Sequence, residues 1–542
     1  MEKYHKDKKG CFKVTIAQWE QMKTESTKYN VPICSRRKGT IALMFSGYAS
    51  LVLTMVKGIV LIPLYLHYID TRLYGAWLAT GSIVAYFGLC DFGISNVLVQ
   101  RVASNYGKQD FRRLGSTLGT GLMIGIVASC LPVFLGLILL PWIAEAFHIT
   151  GVEASQLKLS FLMAAVGTSL MLMVYNVGGV LIALQRQIVP GMFLVIGDIL
   201  SVVVTLVLLV LGYGLVAIPI GALVWGISAV LGNGIYLWWF LKTKLPQVSI
   251  RFKKNDARDL SFQSVWQFGA QAAVTLARRS DNLIIAALID PSFCVILTVT
   301  KKAVEILTLI VRYFVRAFLP SLAHLHGEGD KKKFKKISVI TFKITMLAGI
   351  CLMGGYLFFN KSFVNLWVGK EFFGGGALTK LLYVYGFFVI IGTNFYVILF
   401  AKGEMVTAAR AYIAEALICV PLSICFAMIW GIKGIVVAGI LAIISTSFWI
   451  QAEKIIRIFN ISKRDILSAA SGIGMQGLIS LIVGVIFITR WKREGIVDIL
   501  VFGCLYVGTV FFMGIFFDRK SRVYIFQMQK KLFSKYLIKQ KK

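Results

Sequence analysis

The sequence predicts an all-α, polytopic membrane protein of about fourteen transmembrane helices, and three observations carry that expectation. Of the 542 residues 57% are hydrophobic and only 15% charged. Mean hydropathy is +0.76, whereas a soluble domain holds about a quarter charged residues. Apolar runs of about 20 residues, the length that crosses about 30 Å of hydrocarbon, recur along the whole chain. Lys and Arg gather in the termini and in every second connection, the bias that sets membrane topology.

Apolar runs set against charged breaks place six helices over 40–66, 74–99, 114–140, 158–184, 191–212 and 215–240. Six more follow over 263–289, 293–321, 338–359, 378–401, 408–430 and 434–452, and two close the chain over 469–489 and 497–517. These define an N-lobe (40–240), a cytoplasmic inter-lobe loop (241–262), a C-lobe (263–456) and a final pair of helices (457–517). Residues 1–39 are polar without an apolar h-region and read as a cytoplasmic extension, not a cleaved signal; 518–542 form a basic cytoplasmic tail. Roughly forty of the 58 Lys and Arg fall on the side of the termini, so both termini are predicted inside. Arg490, Lys492 and Arg493 run against that rule.

A net charge of +33 would suggest a nucleic-acid partner in a soluble protein, but its distribution between membrane faces explains it without one. The nine Cys are scattered singly with no CxxC pair, and Cys130, Cys351 and Cys419 lie in apolar runs, so neither a disulfide framework nor a metal site is indicated. His324 and His326, two apart, face different sides of a helix. Neither GxxxxGK[ST] nor HExxH occurs, and no cofactor, metal or enzymatic activity is expected.

An internal repeat is visible at an offset of about 220 residues. It sets Ile69-Asp70 on Ile289-Asp290, and Gly107-Lys108-Gln109-Asp110 on Gly327-Glu328-Gly329-Asp330. A small change of register matches Asp198 with Glu415. Helices one to six and seven to twelve thus read as parallel halves related by an axis along the membrane normal.

Nine basic residues fall within the expected spans: Lys57, Arg278, Arg279, Lys301, Lys302, Arg312, Arg316, Lys343 and Lys380. The last two lie near helix ends and can snorkel. Each central one costs at least about 2.5 kcal/mol to insert, so these side chains should face water or a ligand. On the eighth helix Lys301, Glu305, Thr308, Arg312 and Arg316 share one face along a rise of about 22 Å. Gln271, Thr275, Arg278 and Asn282 form a polar face on the seventh, and Ser46, Ser50, Thr54 and Lys57 on the first. Lys57 and Arg278 stand at matching depth before Asp70 and Asp290, and Lys301 folds back to the same level. The candidate anion site is therefore Lys57, Arg278, Arg279, Lys301, Arg312 and Arg316, a mixed Lys and Arg set suited to a diphosphate. Asp91, Asp198, Asp281, Glu305 and Glu415 are its candidate ion-pair partners or ion-coupling carboxylates, with Arg278–Asp281 and Lys301–Glu305 as the pairs that spacing suggests.

The segment Leu73-Tyr74-Gly75-Ala76-Trp77-Leu78, through Asp91-Phe92-Gly93-Ile94-Ser95-Asn96 to Arg101-Val102-Ala103, resembles the second helix of bacterial polysaccharide flippases. Asp281-Asn282-Leu283-Ile284-Ile285 is similar to their seventh-helix counterpart. These flippases belong to the multidrug/oligosaccharidyl-lipid/polysaccharide exporter superfamily. The resemblance implies a MATE-like arrangement of two six-helix lobes plus two helices, in the bacterial cytoplasmic (inner) membrane. It also implies transport of an undecaprenyl-diphosphate-linked oligosaccharide by alternating access, with membrane lipids, a polysaccharide polymerase and other assembly proteins as partners. A flippase for the lipid-linked peptidoglycan precursor and a cation-coupled multidrug exporter are the alternatives. The polar N-terminal extension departs from the pattern.

Overall fold

A chain immersed in hydrocarbon must satisfy its backbone N–H and C=O groups internally, and helices do so segment by segment. The computed structural model describes residues 36–460, 463–490 and 495–517, and among these the protein is helical without a strand. Most of the expected N-terminal extension, Lys492 and Arg493, the side chain of Ser46, and the basic tail lie outside the described residues.

The first six apolar segments become α1 (Arg36–Tyr68), α2 (Thr71–Phe87) continued after a break by α3 (Ile94–Gly107), α4 (Phe111–Leu139), α5 (Gly151–Ala183), α6 (Ile188–Val210) and α7 (Ala217–Lys244). The next are α8 (Lys254–Arg279) continued by α9 (Asp281–Leu288), α10 (Ser292–Arg316) with the short α11 (Leu319–Gly327), α12 (Lys331–Trp367), α13 (Gly375–Ala401) and α14 (Met405–Trp430). The twelfth segment is α15 (Ile432–Ala442) joined through π-helical Ile443–Phe448 to α16 (Trp449–Phe459). Last come α17 (Lys463–Arg490) and α18 (Ile496–Phe517), which pack on α12 around the fully buried Tyr506.

Among the described residues ten segments are long and apolar enough to cross a membrane, against the fourteen expected along the whole chain. Two of the uncounted segments have a physical cause: α8–α9 is too polar, and α10 carries Lys301, Lys302, Glu305, Arg312 and Arg316. In α17 and α18 the apolar stretches among the described side chains are Ser471–Phe487 and Val501–Met513.

The repeat is realised atom by atom. The Asp70 and Asp290 carboxylates each accept the N–H two residues on, Arg72 and Ser292, at 2.8 Å. Asp110 and Asp330 each cap a helix by accepting the N–H three residues on, Arg113 and Lys333, at 3.0 Å. Before each of those caps stands a left-handed residue, Gln109 and Gly329. Packing repeats as well: α1 lies on α6 as α8 lies on α14, α6 on α7 as α14 on α15, α4 on α5 as α12 on α13, and α5 on α7 as α13 on α15.

Three glycines let backbone approach backbone, one where the halves meet and two along the chain that links them. A Cβ at Gly75 of α2 would overlap the Pro291 carbonyl just before α10. On α4, a Cβ at Gly115 or Gly119 would overlap the backbone of Ser249 or Arg251. The chain linking the halves is thus laid along α4, where the Lys253 N–H donates to Thr120 Oγ1 at 2.9 Å and the Arg251 N–H to the Gly115 carbonyl at 3.4 Å.

Candidate functional site: a cationic cluster in the second half

The polar face of α1 meets α6. Lys57 Nζ lies 2.7 Å from Asp198 Oδ1, and Ser50 Oγ donates to Asp198 Oδ2 at 3.3 Å. Both oxygens of a carboxylate buried in an apolar helix are thereby engaged, as burial of a charge requires.

The corresponding face in the second half is bent. Helix α8 ends at Arg279, Ser280 separates it from α9, and the Ser280 and Tyr86 hydroxyls hydrogen-bond at 2.8 Å. The break turns Asp281 toward α10, where Lys301 Nζ meets its Oδ2 at 2.7 Å. Lys302 pairs with Glu305 at 3.1 Å. Along-helix spacing had suggested Arg278–Asp281 and Lys301–Glu305. The structure uses neither, because the break lets Asp281 reach across the hairpin and leaves Glu305 to the lysine three residues before it.

Four of the six candidate cations, Arg278, Arg279, Arg312 and Arg316, form no salt bridge among the described residues. The Arg278 guanidinium lies 5.9 Å from the centre of the Tyr412 ring, and Lys301 Nζ lies 5.3 Å from that of Tyr385. Arg312 is close enough to feel the charges of Arg278 and Arg316 and the two tyrosines. The 4%-exposed Glu415 acts on Arg278 from beyond salt-bridge distance. Like charges held together at partly buried positions repel, and a bound anion relieves that repulsion. Aromatic faces relieve it in part. Tyr385 and Tyr412 escape a reading of the sequence because a tyrosine within an apolar run looks like any core or interface residue. The one available signal is that Tyr412 precedes Glu415 by one helical turn.

The acidic residues divide. Asp198, Asp281 and Glu305 are in salt bridges, whereas the Asp91 carboxylate accepts from the Ser95 hydroxyl and N–H. Asp91 ends the broken part of the second segment, where Phe92 and Gly93 are left-handed, and it lines a cavity of ≈ 540 Å³ with Ser95, Asn96 and Tyr175. Phe268 and Gln271 of α8 close that cavity from the other half. None of the six candidate cations lines it. Lys380 is exposed in the second turn of α13, a position from which it can snorkel.

At the ends carrying Asp70 and Asp290 the halves are in contact. Arg72 Nε is 3.9 Å from Asp290, and Trp367 Nε1 donates to the Ile59 carbonyl at 2.6 Å. A Cβ at Gly58 would lie 3.8 Å from the Lys302 stem. Toward the other end the Phe92 and Phe268 rings meet at a tilt with centroids 5.2 Å apart, and Arg101 lies 4.0 Å from Asp259.

Two repeated halves of long apolar helices define a class, the multi-pass membrane proteins. The family model described as polysaccharide biosynthesis protein matches residues 37–326, and the chain belongs to that family. Among solved structures it is similar to a lipid II flippase MurJ in an inward closed conformation, with 17% identity over 88% of this chain and 98% of that one and a TM-score of 0.65. It is similar to a multidrug resistance MATE family transporter of the MOP superfamily, inward-facing, with 13% identity over 76% and 96% and a TM-score of 0.62. A third is a MOP superfamily transporter from Pyrococcus furiosus whose structure is described by the reverse polarity of its binding pocket, with 14% identity over 79% and 96% and a TM-score of 0.56. No curated protein matches the chain. These likenesses establish the MATE-like fold that the second-helix resemblance implied.

Proposed function

We propose that the protein is a flippase carrying an undecaprenyl-diphosphate-linked oligosaccharide from the inner to the outer leaflet of the bacterial cytoplasmic membrane for surface polysaccharide assembly. The observation that carries the proposal is Arg312 within electrostatic reach of both Arg278 and Arg316, with none of the three in a salt bridge among the described residues. A guanidinium fork matches phosphate oxygens in pairs, and three of them suit a diphosphate better than an organic cation. With both termini cytoplasmic, the Asp70 and Asp290 ends face outward and the contact there closes the outer side. The glycan would occupy the space between the halves while the polyprenyl tail stays in lipid. Asp91, beside its own cavity, is the proposed ion-coupling carboxylate. The polymerase and other assembly proteins are the proposed partners.

Arg278→Ala and Arg312→Ala should each abolish surface glycan in a deletion strain while membrane insertion is unchanged. Normal glycan display from both variants would remove the cluster from the mechanism. The fold shared with MurJ keeps a lipid-linked peptidoglycan precursor as the second reading. Depletion followed by lysis would favour it, whereas loss of glycan alone would not.

A further inference from the structure

Each half of the protein holds one ammonium against one carboxylate on a neighbouring helix: Lys57 with Asp198 and Lys301 with Asp281, both at 2.7 Å. All four side chains are mostly buried, at 21% and 11% exposure in the first pair and 15% and 23% in the second. The two lysines belong to the six cations assigned to the anion site, while the arginines of that site form no salt bridge among the described residues. Only the point charges are neutralised internally. The Lys301–Asp281 bridge adjoins the arginine cluster through Tyr385, whose ring feels both Lys301 and Arg278. Lys57 stands next to Gly58, where a Cβ would lie 3.8 Å from the Lys302 stem on α10, so the first bridge also borders the space between the halves.

We propose that Asp198 and Asp281 are internal counter-anions that the cargo's diphosphate displaces from Lys57 and Lys301. This rests on the flippase reading and adds what the site does when empty. In the loaded protein each ammonium turns to a phosphate oxygen and its carboxylate is released. In the empty protein the carboxylate returns. The empty carrier then resets with these two ammoniums neutralised, and affinity for cargo is held down by competition within the protein. An ammonium on a flexible stem can exchange partners in this way, whereas a guanidinium fork holds its anion in fixed geometry. Binding strength is a difference between two states, so removing the internal competitor strengthens cargo binding.

The test uses full-length protein in nanodiscs titrated with inorganic pyrophosphate. Asp198→Asn and Asp281→Asn should each bind pyrophosphate roughly five- to tenfold more tightly than wild type, while surface glycan in a deletion strain falls. Asp198→Glu should restore wild-type affinity. Equal or weaker binding by both Asn variants, with wild type still binding, would overturn the counter-anion role and leave the anion site standing. Absence of pyrophosphate binding in wild type and variants alike would overturn both. Wild type offers a check independent of variant folding: pyrophosphate should raise carbodiimide labelling of Asp198 and Asp281, normalised to exposed Glu371, and unchanged labelling of both would contradict the exchange.

Discussion

The intramembrane charges differ less in kind than in whether a partner is within reach. Lys57 shares Asp198 with Ser50, so Lys57→Met strands a buried carboxylate. That variant should lose about 3 kcal/mol of stability, while a Lys57→Met, Asp198→Leu double variant should recover most of it. Thermal unfolding in detergent measures both. Arg312 has two arginines and two tyrosines around it and no salt bridge among the described residues. Arg312→Lys keeps the charge and loses the fork, so surface glycan should drop roughly tenfold where Arg312→Ala removes it. Equal activity of the Lys variant and wild type would mean that charge alone matters. These residues were legible in the sequence as charges in apolar runs. Their partners were not, because Lys57 and Asp198 are 141 positions apart and Asp281 turns away from its own helix.

Among the elements, broken and closely approached helices decide how the halves meet. The second segment breaks at Phe92 and Gly93 and the seventh at Ser280, both next to charged or hydroxyl groups that line the space between the halves. Gly75 lets α2 lie against the Pro291 carbonyl. Gly75→Val should hold the Asp70 and Asp290 ends apart, which a cysteine pair placed at positions 72 and 290 reads as reduced crosslinking relative to the pair alone. Gly115 and Gly119 do the same for the linking chain on α4. The caps repeat the logic at smaller scale. Asp110→Ala removes the acceptor for the Arg113 N–H and should cost about 1 kcal/mol, seen as a lower unfolding temperature with transport otherwise intact.

For the molecule as a whole, the relevant field is the membrane potential. Carrying two negative charges outward across the full field gains about 4.6 kcal/mol at 100 mV, and returning bare cations opposes the same field. Collapsing the potential with an ionophore should therefore slow flipping in vesicles made from native membranes. A rate indifferent to potential would show that loaded and empty carriers move the same net charge.

The sequence by itself determined the fold class, the repeated halves, the alternating basic connections and the identity of the intramembrane charges. Hydropathy, helical periodicity and capping residues are local or periodic properties, and Asp110 and Asp330 announce the same turn wherever the chain places them. Tertiary structure decided which cations pair with a carboxylate and which, among the described residues, form no salt bridge. Ion pairing depends on distances of a few ångströms between helices, and the break at Ser280, not any spacing along α10, sent Asp281 to Lys301 and left Arg278 facing Tyr412.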